Sequence, residues 1–265
     1  MESKSNNNNS GTPLLIIGAV FLVVLIGGWW FYTSSKSKPN PVTKNTAANT
    51  QASKSAAELY ANAPQGAQPP HILGSQTSPV VVEEFADYQC PTCSVKHPVF
   101  KQIASIYNNR IKFVFRNFPL IQMHPKAYDA AIAAEAAGLQ GKFWDMQNLL
   151  FTKQAEWSAS TDHRKLFSDY AQQIGLDMAK FQNDQVGLPA KQRVDSDLQR
   201  AQGLRVNSTP SVYVNGLLVP FEQMTVEGLR QIIDAELQKT GNTQNQPKPE
   251  NSVETGQPKT GADNK

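Results

Sequence analysis

The chain has 265 residues, a formal net charge of +3 and 40% hydrophobic residues. Its lysines and arginines are scattered and form no basic stripe, which speaks against a nucleic-acid partner. The two cysteines sit together at Cys90 and Cys93, which excludes a disulfide framework and points to redox chemistry or half of a metal site.

Residues 1–12 are polar and asparagine-rich, and Pro13 to Tyr32 then runs without a charge. At about 1.5 Å per residue, such a run spans the roughly 30 Å hydrocarbon core of a bilayer. Trp29, Trp30 and Tyr32 suit the headgroup level at one end. The run is longer than a signal-peptide core and no small-residue cleavage site follows it closely, so 13–32 is expected to be an uncleaved, single-pass anchor. Lys36, Lys38 and Lys44 outnumber Lys4, and the positive-inside bias alone would keep the following domain in the cytoplasm. Large domains, however, cross largely regardless of flanking charge, and a CxxC domain is most useful where disulfides persist. The domain is therefore expected on the extracytoplasmic side of the cell membrane.

Residues 33–70, rich in Ser, Lys, Asn, Pro, Ala and Gln, read as a flexible linker with a reach of roughly 35 Å. The folded domain is expected over 71–240 and a disordered tail over 241–265. Within the domain, Val80–Phe85 is a β-branched strand, Asp87-Tyr88-Gln89 a short turn, and a helix opens at the cysteine pair. Val95, Val99, Ile103 and Ile106 supply that helix with an apolar face, with a kink expected at Pro98. Ile111–Phe115 reads as a second strand, so the segment forms a parallel βαβ unit.

A helical block follows over about 125–203. Ala130, Ala133, Ala134 and Ala137 form a small-residue face, Phe143, Met146, Leu150 and Phe151 give bulk, and Gly175 and Gly203 close helices. Asn215-Gly216 between short apolar runs signals a hairpin, and Thr225 can cap a last helix. The order is βαβ, a helical insertion, then ββα. This is a thioredoxin fold, a central mixed sheet flanked by helices, interrupted by a helical subdomain and preceded by one transmembrane helix.

A cysteine at the first turn of a helix meets unpaired N–H groups and the positive end of the helix dipole, which favour thiolate. Cys90 is thus the expected nucleophile, and Cys93, on the same face, the resolving thiol. Pro91 suits the first turn, and the Thr92 hydroxyl can tune the thiolate. Thr209-Pro210 precedes a strand, where the proline is either an ordinary trans residue or a cis residue exposing Thr209 backbone to a substrate peptide. Glu84 is either a proton partner of Cys93 or a solvated strand end, whereas Glu83 and Asp87 carry no assigned role.

The stretches HILGSQTSPVVVEEFADYQCPTC, FRNFPL, HPKAYDAAIAAEAAGLQGKFWDMQNLLF and STPSVYVNG resemble the DsbA-like family of thiol–disulfide oxidoreductases over about 71–238. The resemblance implies Cys90 as nucleophile, Cys93 as resolving thiol, a cis-proline loop at Thr209-Pro210 and a proton-relay acid at Glu84. It implies no cofactor beyond the Cys90–Cys93 disulfide, reduced extracytoplasmic proteins as substrates, and a membrane-bound quinone-coupled reoxidase as partner. The chain departs from the family's namesake at Thr92, where that protein has histidine, and this leaves the oxidising strength open. Introduction of disulfides is the first expectation. Reductase or isomerase action is the redox alternative, and a tethered copper or zinc carrier using the cysteines with His97 is the alternative of another class. His71, His124 and His163 read as surface or packing residues.

Overall fold

The computed structural model describes residues 55–244. The anchor expected at 13–32 lies outside the described residues, as do most of the linker and the chain beyond 244. Among the described residues no helix is long and apolar enough to cross a membrane.

Five strands, β1 (His71–Gly74), β2 (Val81–Ala86), β3 (Lys112–Asn117), β4 (Ser211–Val214) and β5 (Leu217–Leu218), form one sheet in the order β1-β3-β2-β4-β5. β2 and β3 are parallel and the remaining neighbours antiparallel. The parallel pair is joined by α1 (Pro91–Tyr107), as a parallel connection requires. Six helices lie between β3 and β4: α2 (Ala127–Gly138), α3 (Phe143–Thr152), α4 (Gln154–Ala159), α5 (His163–Gln173), α6 (Met178–Val186) and α7 (Leu188–Gly203). α8 (Val226–Gln244) closes the domain and runs past residue 241, where the tail was expected to begin. The Thr225 hydroxyl accepts the Gly228 N–H and caps it. The β4–β5 turn has φ of 47° at Asn215 and 81° at Gly216, the two left-handed residues that a tight hairpin needs.

Apolar packing falls into three clusters. One lies between the sheet and α1 and α8, around Val82, Phe100, Ile103, Phe113, Val212 and Leu229. A second fills the helical subdomain, from the α2 alanines to Phe143, Met146, Leu150 and Trp157, and takes in Cys90, Cys93 and Tyr88. The cysteine pair therefore sits at the seam between helical subdomain and sheet. The third, around Phe85, Phe118 and Tyr213, receives Tyr60 and Ala63 from the segment preceding β1.

Two further expectations are corrected. The buried face of α1 is Cys93, His97, Phe100, Ile103, Ala104 and Tyr107, whereas Val95 is 74% exposed and Ile106 40%. Both stripes have helical spacing, and the aromatic one meets the core. Pro98 lies inside this helix, as its place in the pattern implied. Gly203 is the last residue of α7, which ends there as expected, and the left-handed residue beyond it is Arg205 (φ 57°). A Cβ on Gly203 would lie 2.5 Å from Pro64 Cδ, so the glycine permits a close crossing of the chain.

That crossing belongs to the largest correction. Residues 55–62 are helical, and 63–70 are packed against the sheet rather than forming linker. Polar contacts from the fold beneath hold them. Arg200 Nη1 donates to Pro64 O at 2.8 Å, and Arg116 donates to Gln65 O and Ala67 O at 2.9 Å each. Both guanidiniums also pair with Glu83, and Arg116 with Asp197. Tyr60 Oη donates to Glu83 at 2.7 Å. Burial alone would raise the Glu83 carboxyl, but Arg200 and Arg116 overcome it and hold the group below its ordinary value. Glu83 is thus the centre of a buried clamp. Removing one partner of a buried ion pair costs about 3–5 kcal/mol, so Arg116→Ala is expected to lower the free energy of urea unfolding by an amount of that order, and the midpoint with it. An unchanged midpoint would mean that the clamp contributes nothing.

Candidate active site

Cys90 is the N-cap of α1, with φ −70° and ψ 121°, and Pro91 takes the first helical turn. Its carbonyl accepts the first helical bond, from Ser94 N at 3.2 Å. No side chain caps the helix, so the first N–H groups of α1 are left for the sulfur. Both thiols are free, with Cys90 keeping 8% of its surface exposed and Cys93 none. A partner can therefore reach Cys90 but not Cys93.

The two sulfurs are tuned in opposite directions. The Cys90 thiol is pulled down to about 5, chiefly by a hydrogen bond from the Cys93 thiol. Burial works against this, while Thr209 and the N–H groups of Cys93 and Thr92 add to it. Cys93 is pushed well above the ordinary thiol range by burial, then by the hydrogen bond and charge of Cys90, with Glu84 adding to the effect. At neutral pH the reduced pair therefore holds one thiolate, on the exposed sulfur. Alkylation of the reduced protein by iodoacetamide is expected to modify Cys90 with an inflection near pH 5 and to leave Cys93 unmodified. An inflection above pH 8 would remove the tuning.

Thr209-Pro210 is cis. Thr209 O lies 3.6 Å from Cys90 Sγ, which donates to it when protonated. The strand that follows is β4, so this backbone borders the sulfur at the sheet end. Thr92, partly buried in the first turn of α1, contributes its N–H to the Cys90 thiolate.

Glu84 faces the cysteines from the middle of β2, paired with Phe115 on one side and Val212 on the other. It is 2% exposed, which rules out the solvated strand end. Burial pushes its carboxyl up to about 8, so it carries a proton at neutral pH.

Asp87 proves central to the site. Its carboxylate accepts from Gln89 N at 2.7 Å and Leu120 N at 2.8 Å, and lies 2.8 Å from His124 Nδ1. Its carbonyl accepts from Cys90 N at 3.1 Å. Gln154 on α4 holds the same loop, donating to Tyr88 O and Cys90 O at 2.7 and 2.9 Å. The Asp signal was present in the sequence, since an aspartate accepting the N–H two residues on makes an Asx turn. Gln154 had no such signal. His97, the candidate metal ligand, packs 4.8 Å from the Phe151 ring and lies 3.3 Å from Asn148 Oδ1. Among the described residues no group of three or more His, Cys, Asp or Glu side chains is placed to hold a metal ion.

A family model described as thioredoxin matches residues 67–235, and the chain belongs to that family. Its architecture is that of the DsbA-like thiol–disulfide oxidoreductases within it. BdbD from Bacillus subtilis is 26% identical, with a TM-score of 0.56, covering 65% of this chain and 98% of that one. The thiol-disulfide exchange protein alpha-DsbA2 from Wolbachia pipientis is 21% identical, with a TM-score of 0.59, covering 71% and 98%. That likeness concerns the fold. In sequence, the chain is 36% identical over 149 residues to the Na(+)/H(+) antiporter NhaA 1 of Mycolicibacterium vanbaalenii, covering 56% of this chain and 23% of the antiporter. A homologue of the same name from Mycobacterium sp. is 38% identical over 149 residues, again covering 23% of its length. The chain thus spans about a quarter of the length of these curated relatives, and antiport is a property of those longer proteins.

Proposed function

We propose that this chain is a membrane-tethered oxidase that introduces disulfides into reduced extracytoplasmic proteins through Cys90-Pro91-Thr92-Cys93. The observation that carries the reading is the geometry of the pair, with Cys90 accessible at the N-cap of α1 beside Thr209 and Cys93 fully buried, an arrangement that lowers the Cys90 thiol to about 5. A stabilised thiolate favours the reduced dithiol over the disulfide, which makes the disulfide the stronger oxidant.

In the reaction a substrate thiolate attacks Cys90 Sγ of the Cys90–Cys93 disulfide, the S–S bond breaks, and Cys93 leaves as a thiolate that takes a proton. A second substrate thiolate then attacks the substrate sulfur of the mixed disulfide and expels Cys90 as thiolate. Two electrons pass to the cysteine pair, and Cys90, with its low pKa, is the better leaving group. Thr209 backbone beside Cys90 offers a peptide substrate a place to pair, and protonated Glu84 is the proton donor to Cys93. Residues 13–32 anchor the domain outside the membrane, within reach of a quinone-coupled reoxidase that takes the electrons on. That similar segments are carried by antiporters, which are membrane proteins, supports action at a membrane surface.

The test is equilibration of residues 55–244 in graded glutathione buffers, with the disulfide fraction quantified by alkylation. A pair that stays reduced until the buffer is strongly oxidising supports the oxidase. A pair already oxidised in strongly reducing buffer replaces it with a reductase.

A further inference from the structure

Cys90 stands at a junction that its own helix holds only loosely. As the N-cap of α1 its carbonyl receives Ser94 N at 3.2 Å, and its N–H reaches Asp87 O at 3.1 Å. Both lie at the long end for N–H···O bonds. The shorter bonds come from the helical subdomain. The Gln154 amide nitrogen donates to Cys90 O at 2.9 Å and to Tyr88 O at 2.7 Å, so one side chain spans the carbonyls on either side of Gln89. Gln89 is held from the same subdomain, its Oε1 accepting Lys126 N at 2.8 Å. Lys126 Nζ in turn donates to Ser158 O and Ser160 O at the end of α4. The three residues that lead into α1 are thereby closed into a ring through α4.

The holder is itself fixed. Gln154 opens α4, and Trp157, one turn on, has no exposed surface and donates from Nε1 to Leu150 O at 2.7 Å. Phe151 O accepts Ser94 Oγ at 3.0 Å, which ties the α3–α4 junction to the first turn of α1. Both Nε2 hydrogens of Gln154 are used, so its amide has one orientation. Tyr88 is 1% exposed, so its carbonyl, deprived of Gln154, has little water to turn to. A buried carbonyl left unpaired costs more than an ordinary hydrogen bond contributes. The backbone would turn to find a partner and carry Cys90 with it. The open N–H groups of a helix act only within its first turn, so a small rotation at Cys90 is enough to weaken their hold on the sulfur.

We propose that Gln154 is a positioning residue of the exchange reaction: by holding Tyr88 O and Cys90 O from the helical subdomain, it keeps Cys90 Sγ on the open N–H groups of α1 and sets how strongly the disulfide oxidises. The proposal rests on the redox reading above and deepens it. Gln154 bonds to backbone oxygens and passes no proton or electron. Its effect travels through the backbone of residues 88–90, and it gives the helical insertion a part in the chemistry besides covering the site.

The test is Gln154→Met in the full chain, which keeps the length of the side chain and removes both donors. Two quantities are read: the pH inflection of Cys90 alkylation in the reduced protein, and the glutathione equilibrium of the pair at pH 7. The inflection is expected about one pH unit above the wild-type one, with the equilibrium shifted about 10-fold towards the disulfide. The two must move together, because a tenfold weaker thiolate makes the reduced pair tenfold less stable at that pH. Wild-type values in both overturn the proposal. So does a lower urea midpoint with neither quantity moved, which is what a merely structural contact would give. Asn148→Ala frees His97 and Lys101 of α1 from α3 without touching the redox loop, and it should keep both wild-type values. Equal shifts there would mean a general loosening of the seam and would overturn the positioning role. Should Gln154→Met fail to fold, Gln154→Asn, which keeps the amide but is one methylene too short to span both carbonyls, is read by the same criteria. The wild-type equilibrium decides whether the protein is an oxidase, and the difference between variant and wild type decides the role of Gln154, so the two readings fail separately.

Discussion

Replacing Cys90 by serine is expected to reduce disulfide exchange to the uncatalysed background while leaving the fold intact. The chemical half follows from the pair itself. A serine oxygen forms no disulfide, and Cys93 cannot substitute, because it has no exposed surface and burial holds it protonated. The structural half follows from the position. Cys90 is the N-cap of α1 and makes no side-chain cap bond, whereas serine is among the favoured N-caps, worth about 0.5–2 kcal/mol over residues that cannot cap. That gain offsets the lost burial of one sulfur, so the stability of the reduced protein should change by only about 1 kcal/mol or less. Oxidation of a reduced protein substrate, measured beside urea unfolding, separates the two halves. Activity surviving in a folded Cys90→Ser protein removes Cys90 as nucleophile. The companion Cys93→Ser should instead accumulate mixed disulfides on Cys90, since the sulfur that resolves them is gone.

What could be read from the sequence divides along a physical line. Features set by local pattern were legible: the βαβ order, the alanine face of α2, the Asn215-Gly216 turn, the Thr225 cap, and a cysteine pair opening a helix. Features set by contacts between distant residues were not. The segment 55–70 has the composition of a linker, and what holds it is Arg116 and Arg200, roughly 50 and 136 positions away in the chain. Neither arginine has a local pattern that marks it as buried. Glu83 and Glu84 show the same limit within one dipeptide. Alternation assigns them to opposite faces, but only the fold reveals that two guanidiniums pair with Glu83 whereas burial alone acts on Glu84. Neighbouring carboxyls are thereby driven in opposite directions, Glu83 down and Glu84 up to about 8.

That contrast gives Glu84→Gln a large expected effect. The folded Glu84 carboxyl sits at about 8 against an ordinary 4.5, so between those values the folded protein holds a proton that the unfolded chain has released. Stability must then fall as pH rises through this window, by on the order of 1.4 kcal/mol per unit. It is fully present below the unfolded value and lost as pH approaches the folded one. Glutamine resembles the protonated acid in shape and does not titrate. Urea unfolding of the two reduced proteins should therefore agree near pH 4.5 and diverge above it, with the variant more stable at pH 7 by on the order of a few kcal/mol. Exchange should move the other way, slowing about 10- to 100-fold because Cys93 loses its proton donor. A stabilised but slower protein is the signature of a buried acid retained for its proton. Parallel stability curves would mean that the carboxyl ionises freely in the folded protein, and the proton would then have to reach Cys93 from the mouth of the site.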